Sequence, residues 1–420
     1  MADTEALKRK VIAAIDAMAP ALIDISHRIH ARPELAFHEV EAARLLSATV
    51  EEAGLPVERE AFGLPTAFAS RFGPADGSGE VAILSEYDAL PGIGHACGHN
   101  IIATTGLGAA LALSKLNGEL PGRIRYLGTP AEEMGGGKEL MAQEGAFDGV
   151  DSAMMVHPAG IDLTLMPSIC ISEVRVTYHG RAAHAAAMPH AGINALDALI
   201  TAYQAIAQLR QHIKPTERIH GIITKGGTAP NIVPDEAEAI FYVRAATAEE
   251  LAPLKERVRA CFEAGALAAG AAMHLHWSKV DYLDLKSSGP LAAAYEANSR
   301  TLGRDFFPLD KLPSGSAGST DMGNVSHRVP SIHPMISCAP PEVVIHNPEF
   351  ARWAASDLGD KACIDGAKAL AMTALDYLTD ADMREAAAAE FAATAELSGR
   401  AVDAAFNPSG VTSLGGCGCR

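Results

Sequence analysis

Three short apolar runs, separated by helical patterns, constrain this chain most. Residues 81–85, 123–127 and 152–156 have the length and composition of strands, and residues 101–116 and 138–144 between them read as helices. Strands alternating with helices predict βαβ units and a largely parallel sheet. The polar residues follow these runs directly: Glu86 and Asp88 after the first, Glu132 and Glu133 after the second, His157 after the third. In open α/β sheets ligands bind beyond the carboxyl ends of strands, so three strand ends can deliver acids and an imidazole to one place.

The pattern changes between residues 168 and 283. Strand-like stretches at 173–178, 219–224, 237–245 and 273–280 frame helical ones at 193–212 and 249–269. That order, βαββαβ, is the ferredoxin-like arrangement. A chain of 420 residues exceeds one comfortable core. The expected organisation is a first domain from 1–167 and 284–420, with 168–283 inserted as a second. Residues 5–30 and 39–53 read as amphipathic helices, and the Ala-rich stretch 385–405 as further helix.

A formal net charge of −17 argues against nucleic acid or an anionic membrane as partner. No apolar run approaches the length of a membrane span. The start, Met1-Ala2-Asp3-Thr4-Glu5, lacks the basic and apolar regions of an export signal, and the seven cysteines form no framework. Reduced thiols in a cytoplasm are therefore expected. Cys417-Gly418-Cys419 reads as a frayed end.

Cys97-Gly98-His99 places a thiol and an imidazole in a tight turn before a helix. Mixed soft and borderline ligands suit a transition metal. In Glu132-Glu133, just past a strand, one carboxylate can bind metal while the other faces water, the division that metal-assisted hydrolysis requires. His157 and His346 end apolar, β-rich runs. Each feature alone has a bland explanation: a buried thiol, a hydrogen-bonded histidine, a solvated acid pair. Those explanations would have to hold together at four strand or loop ends. In the inserted segment, His179-Gly180-Arg181-Ala182-Ala183-His184 and the turn around Asn231 offer donors for a carboxylate or a developing oxyanion. Arg244 ends a strand, where surface and substrate roles are equally open. The small-residue loop at 315–324 lacks the lysine and spacing of a P-loop, and suits a substrate lying against backbone.

In order along the chain, His30-Ala31-Arg32-Pro33-Glu34-Leu35, Asp88-Ala89-Leu90-Pro91, Cys97-Gly98-His99, Gly128-Thr129-Pro130-Ala131-Glu132-Glu133, the 179–184 and 226–234 motifs, the 318–326 loop and His346-Asn347-Pro348-Glu349-Phe350 resemble the amidohydrolase branch of the M20 metallopeptidase family. The resemblance implies an α/β fold: a di-metal catalytic domain with a mixed, largely parallel sheet, plus an inserted ferredoxin-like lid through which the chain forms a homodimer. It implies Cys97, His99, Glu133, His157 and His346 as metal ligands, with Asp88 behind them. Glu132 would be the general base and His184 the oxyanion donor, with Asn231, Arg181 and Arg244 on the substrate. One or two Zn²⁺, Mn²⁺ or Co²⁺ ions would be the cofactor. Three departures stand out. Asn100 replaces the usual Asp, the Val156-His157-Pro158 context differs from the commoner one in the branch, and Glu86 stands where classical members of the wider family place a metal histidine.

The resulting expectation is a metal-dependent amidohydrolase for small N-acyl amino acids or dipeptides with a free carboxylate. Two rivals have distinct signatures. A thiol amidase using Cys97 as nucleophile would survive metal removal. A non-catalytic binding protein on the same fold would take metal and cleave no amide.

Overall fold

The computed structural model describes residues 3–313, 317–407 and 411–414. The chain divides into two compact units, Met1–Pro167 with Leu285–Gly399, and Ser168–Asp284 with Arg400–Arg420.

The first unit is built on a six-stranded sheet in the order Glu58–Arg59, Phe68–Phe72, Arg123–Gly128, Glu80–Ser85, Ser152–Met154, Ser331–Ile332. The first two pairings are antiparallel and the other three parallel. The short strand His157–Ala159 runs parallel to Met335–Ser337 beside it. Every residue of Glu80–Ser85 is buried, as expected for a central strand covered on both faces. The helix His99–Ser114 is buried over nearly its whole length. It packs backbone-close on the sheet at Gly106, where an added Cβ would stand 2.7 Å from Leu84 O. That approach holds the helix N-terminus over the carboxyl ends of the strands. The helices Thr4–His30 and Asp357–Thr379 complete the same apolar core. The Glu80–Ser85 neighbourhood is legible from periodicity; Phe68–Phe72 and the helix Gly289–Thr301 are not.

The second unit carries an all-antiparallel sheet in the order Val411–Leu414, Ala272–Trp277, Cys170–His179, Glu236–Ala245, Arg218–Lys225. Buried and less buried positions alternate along Cys170–His179, the mark of a strand with one face on a core. The helices Ala195–Leu209 and Ala248–Ala269 supply that core. Asn194 caps the first by accepting from Leu196 N at 2.9 Å and Asp197 N at 3.2 Å. Gly270 ends the second in the left-handed region at φ 70°. The four strands other than Val411–Leu414, with the two helices, follow the ferredoxin-like order.

One boundary differs from expectation. The sequence pattern assigns all of 284–420 to the first domain, but Arg400–Arg420 groups with the second unit. The reason is backbone pairing: Val411–Leu414 adds an edge strand to Ala272–Trp277, and Ala401 and Ala405 enter the second unit's core. The Cys417–Cys419 motif lies outside the described residues. Among the described residues no helix is long and apolar enough to cross a membrane.

Candidate metal centre

The strand ends and one helix start converge within the first unit. Cys97 precedes the helix and His99 opens it. Gly98 between them has φ 79°, and a Cβ there would meet Pro158 Cγ at 2.5 Å and Phe350 Cε1 at 3.2 Å, so only glycine fits. Beyond Arg123–Gly128 the backbone turns sharply through Ala131 at φ 59°. Glu39 Oε1 holds this turn by accepting from Ala131 N at 2.9 Å. Glu132 and Glu133 follow. His346 also sits in the left-handed region, at φ 61°, and its N–H donates to Ala96 O at 2.8 Å. This corrects the expectation that His346 ends a strand: residues 343–346 form a loop, and the backbone bond to Ala96 places the ring beside Cys97.

Two groups of donor atoms meet at the Cys97 sulfur. Cys97, His99 and His157 form one, and Cys97, Glu133 and His346 the other, with the atoms of each within 4.8 Å of one another. Hydrogen bonds behind the rings orient them. His99 Nδ1 donates to Asp88 Oδ1 at 2.9 Å, which turns Nε2 toward the site; without metal, Cys97 and Asp88 outweigh burial and raise the ring's hold on its proton, which a metal ion would displace. His157 Nδ1 donates to Pro158 O at 2.7 Å, leaving its Nε2 to face Cys97 Sγ at 3.3 Å. Asp88 Oδ2 also accepts from Glu133 N at 2.9 Å. Partners of this kind fix the tautomer and direction of metal-binding histidines. His346 Nε2 lies 3.4 Å from Glu133 Oε1.

The electrostatics call for a cation. Burial pushes the Cys97 thiol well up, and Glu133 adds to the push. A thiol so placed is poorly activated as a nucleophile. Burial also raises the Glu132 carboxyl well above its usual range, with Glu86 and Glu133 reinforcing it. Burial acts the same way on Glu133, but His346 and His99 outweigh it and hold that carboxyl low. His157 is pushed down to about 4 by burial and by His99, so its ring stays neutral and able to ligate. His99 Nε2 and Glu133 Oε1 are buried without a hydrogen-bond partner. Orphaned buried atoms on a sulfur, nitrogen and oxygen donor set fit a divalent transition metal.

Four of the expected site residues lie in the second unit. His184 is exposed, and its Nδ1 accepts from Ala187 N at 3.1 Å, which puts the ring proton on Nε2 and leaves it free to donate. Ala185 N donates to Asn231 O at 3.0 Å, so the His184 and Asn231 segments lie side by side. Arg181 Nε donates to Ala191 O at 2.7 Å. Arg244 lies over the Tyr242 ring, 5.8 Å from its centroid.

Sequence reasoning misses Lys138, Asp321 and His333. Lys138 and Asp321 are fully buried partners, 2.7 Å apart. His333 is buried edge-on to His157 at a ring-centroid separation of 5.4 Å. The one signal in the sequence is a lysine directly after three glycines. The loop expected to carry substrate on its backbone is described in part, and its residues 317–319 are not buried. Residues 320–327 are buried and include the helix Met322–Ser326, while 314–316 lie outside the described residues. Asn100 serves packing: its amide donates to Ser26 Oγ and Ala354 O, each at 2.9 Å, and an Asp could not donate to that carbonyl.

Comparison with known proteins finds relatives among metal-dependent peptidases and amidohydrolases. Residues 171–269 match the peptidase dimerisation domain of M20 proteins. The chain is 40% identical over 403 residues to a Mus musculus Xaa-Arg dipeptidase, covering 93% of each. It is 27% identical to a component of the Escherichia coli (strain K12) p-aminobenzoyl-glutamate hydrolase, covering 88% of this chain and 92% of that one. In fold it resembles a Bacillus subtilis dinuclear metal-binding M20 peptidase, with a TM-score of 0.66 at 22% identity over 86% of this chain and 99% of the other.

Proposed function

Because the chain belongs to the M20 metallopeptidase family, a group of metal-dependent hydrolases of C–N bonds in small amides and dipeptides, we propose that it cleaves dipeptides and N-acyl amino acids that carry a free carboxylate. The observation that carries this reading is the pair of ligand groups sharing Cys97. Cys97, His99 and His157 would hold one ion and Cys97, Glu133 and His346 the other, with Zn²⁺, Mn²⁺ or Co²⁺ all suited to the donor set. Bound metal supplies a polarised carbonyl and a more acidic water.

The chain's own groups do the rest. Glu132, raised by burial and its acidic neighbours, takes the proton from water and passes it to the leaving amine. His184 donates its Nε2 proton to the developing oxyanion. Asn231, Arg181 and Arg244 bind the substrate carboxylate. The similarity to an Xaa-Arg dipeptidase and the net charge of −17 favour a cationic side chain at the C-terminal residue, since an acidic protein attracts such substrates. Homodimerisation through the second unit and a cytoplasmic location belong to the same proposal.

The test is a hydrolysis panel on metal-loaded protein: dipeptides ending in Arg, Lys, Leu or Glu, N-acetyl amino acids, and p-aminobenzoyl-glutamate. Cleavage of the Arg and Lys dipeptides, abolished by a chelator and restored by metal, is expected. Loaded protein inert on the whole panel would favour the binding-protein rival.

A further inference from the structure

A third group of donors lies beside the two that share Cys97. Atoms of Glu86, His99 and Glu132 come within 4.8 Å of one another. This group already has a cation of its own. Lys138, fully buried, donates from Nζ to Glu86 Oε1 and to Asp321 Oδ1 at 2.7 Å. Asp321 Oδ2 accepts from the Lys138 backbone N at 2.9 Å, so this aspartate grips the lysine at two points. The backbone leading to Lys138 is pinned as well. Gly136 N and Gly137 N donate to Ala131 O at 3.1 and 3.3 Å, and a Cβ on Gly137 would collide with Pro130 O. The lysine is therefore tied to the same turn that carries Glu132 and Glu133. Glu86 Oε2 faces His99 Nε2 at 3.5 Å, and both atoms are buried without a hydrogen-bond partner.

We infer that Lys138 is a positioning residue of the hydrolytic site: its ammonium stands at Glu86 in place of a metal ion and holds the second Glu86 oxygen against His99, beside Glu132. Glu86 is then not a metal ligand. The His99 ring is fixed by Asp88 at Nδ1, and Glu86 stands beside Nε2 without bonding it. Burial by itself would push the lysine toward its neutral form, but Asp321 and Glu86 outweigh it and keep it charged. The inference rests on the hydrolytic reading above.

The test uses metal-loaded protein and two variants, Glu86→Gln and the neutralised set K138M/E86Q/D321N. Metal per chain, thermal melting, kcat and KM are measured for each. Glu86→Gln leaves Lys138 paired with Asp321. It is expected to fold, to keep the wild-type metal content, and to lose about tenfold or more in kcat with KM within about twofold. The neutralised set removes the buried charges together, so no lone buried ion is left to unfold the protein, and its kcat should fall likewise at unchanged metal content. Should that set fail to fold, Glu86→Gln decides alone. Loss of a metal ion from Glu86→Gln would make Glu86 a ligand and overturn the inference, as would kcat within about twofold of wild type. A wild type that cleaves no amide would sink the hydrolytic reading, while the metal content of Glu86→Gln would still report on Glu86.

Discussion

In the first unit His99, Glu86 and Lys138 are fully buried, and each is aimed by a partner behind it: Asp88 behind His99, Lys138 behind Glu86, Asp321 behind Lys138. In the second unit His184, Asn231 and Arg181 stand exposed, aimed by the local backbone of two adjacent turns. The contrast separates two ways of presenting chemistry. Buried groups shift one another's proton affinity and must be satisfied as a network. Exposed groups keep their chemistry to themselves and can be changed one at a time.

Four variants or conditions test that division, in falling order of effect. Glu132→Ala should lower kcat by about 10²–10⁴-fold, the usual worth of a general base, with metal content unchanged. Turnover near that of wild type would end its assignment. His184→Ala should cost about 10²–10³-fold in kcat, as loss of an oxyanion donor does, without moving the melting temperature or metal content. A shift in either would place His184 in the buried network after all.

The third test is stability against pH in metal-free protein. His157 binds its proton at about 4 when folded, against an ordinary value of 6.5 for a histidine in the unfolded chain. Its neutral-ring contribution is thus present above pH 6.5 and lost as pH falls through the folded value. Relative to His157→Gln, the wild type should lose roughly 3 kcal/mol of unfolding free energy across that window, measured by urea titration. A pH-independent difference would mean the ring is not held neutral by burial. Last, Asp88→Asn should weaken metal binding about 10–100-fold, the typical cost of removing a carboxylate behind a metal-binding histidine. Calorimetric titration with metal would show it.

Much of the first unit's site is legible before any coordinates. Glu86, Asp88, Glu132, Glu133 and His157 follow apolar runs, and the sheet delivers strand ends to one side whatever the tertiary detail. Lys138 cannot be read this way. A lysine after three glycines looks like an exposed loop, and its burial depends on Asp321, 183 positions away. His346 stands out as a residue, but its setting in a left-handed loop is imposed by Ala96. The edge strand Val411–Leu414 belongs to the second unit because of where its partner Ala272–Trp277 lies, and no local pattern encodes that.

The metal-centre reading of the first unit depends on the Cys97 sulfur serving both ligand groups. Metal content of wild type and Cys97→Ala, measured by mass spectrometry on gel-filtered protein of matched melting behaviour, tests this most directly. A pair of ions on each wild-type chain, and loss of both from the variant, is the expected result. A Cys97→Ala protein that retained the pair would contradict it.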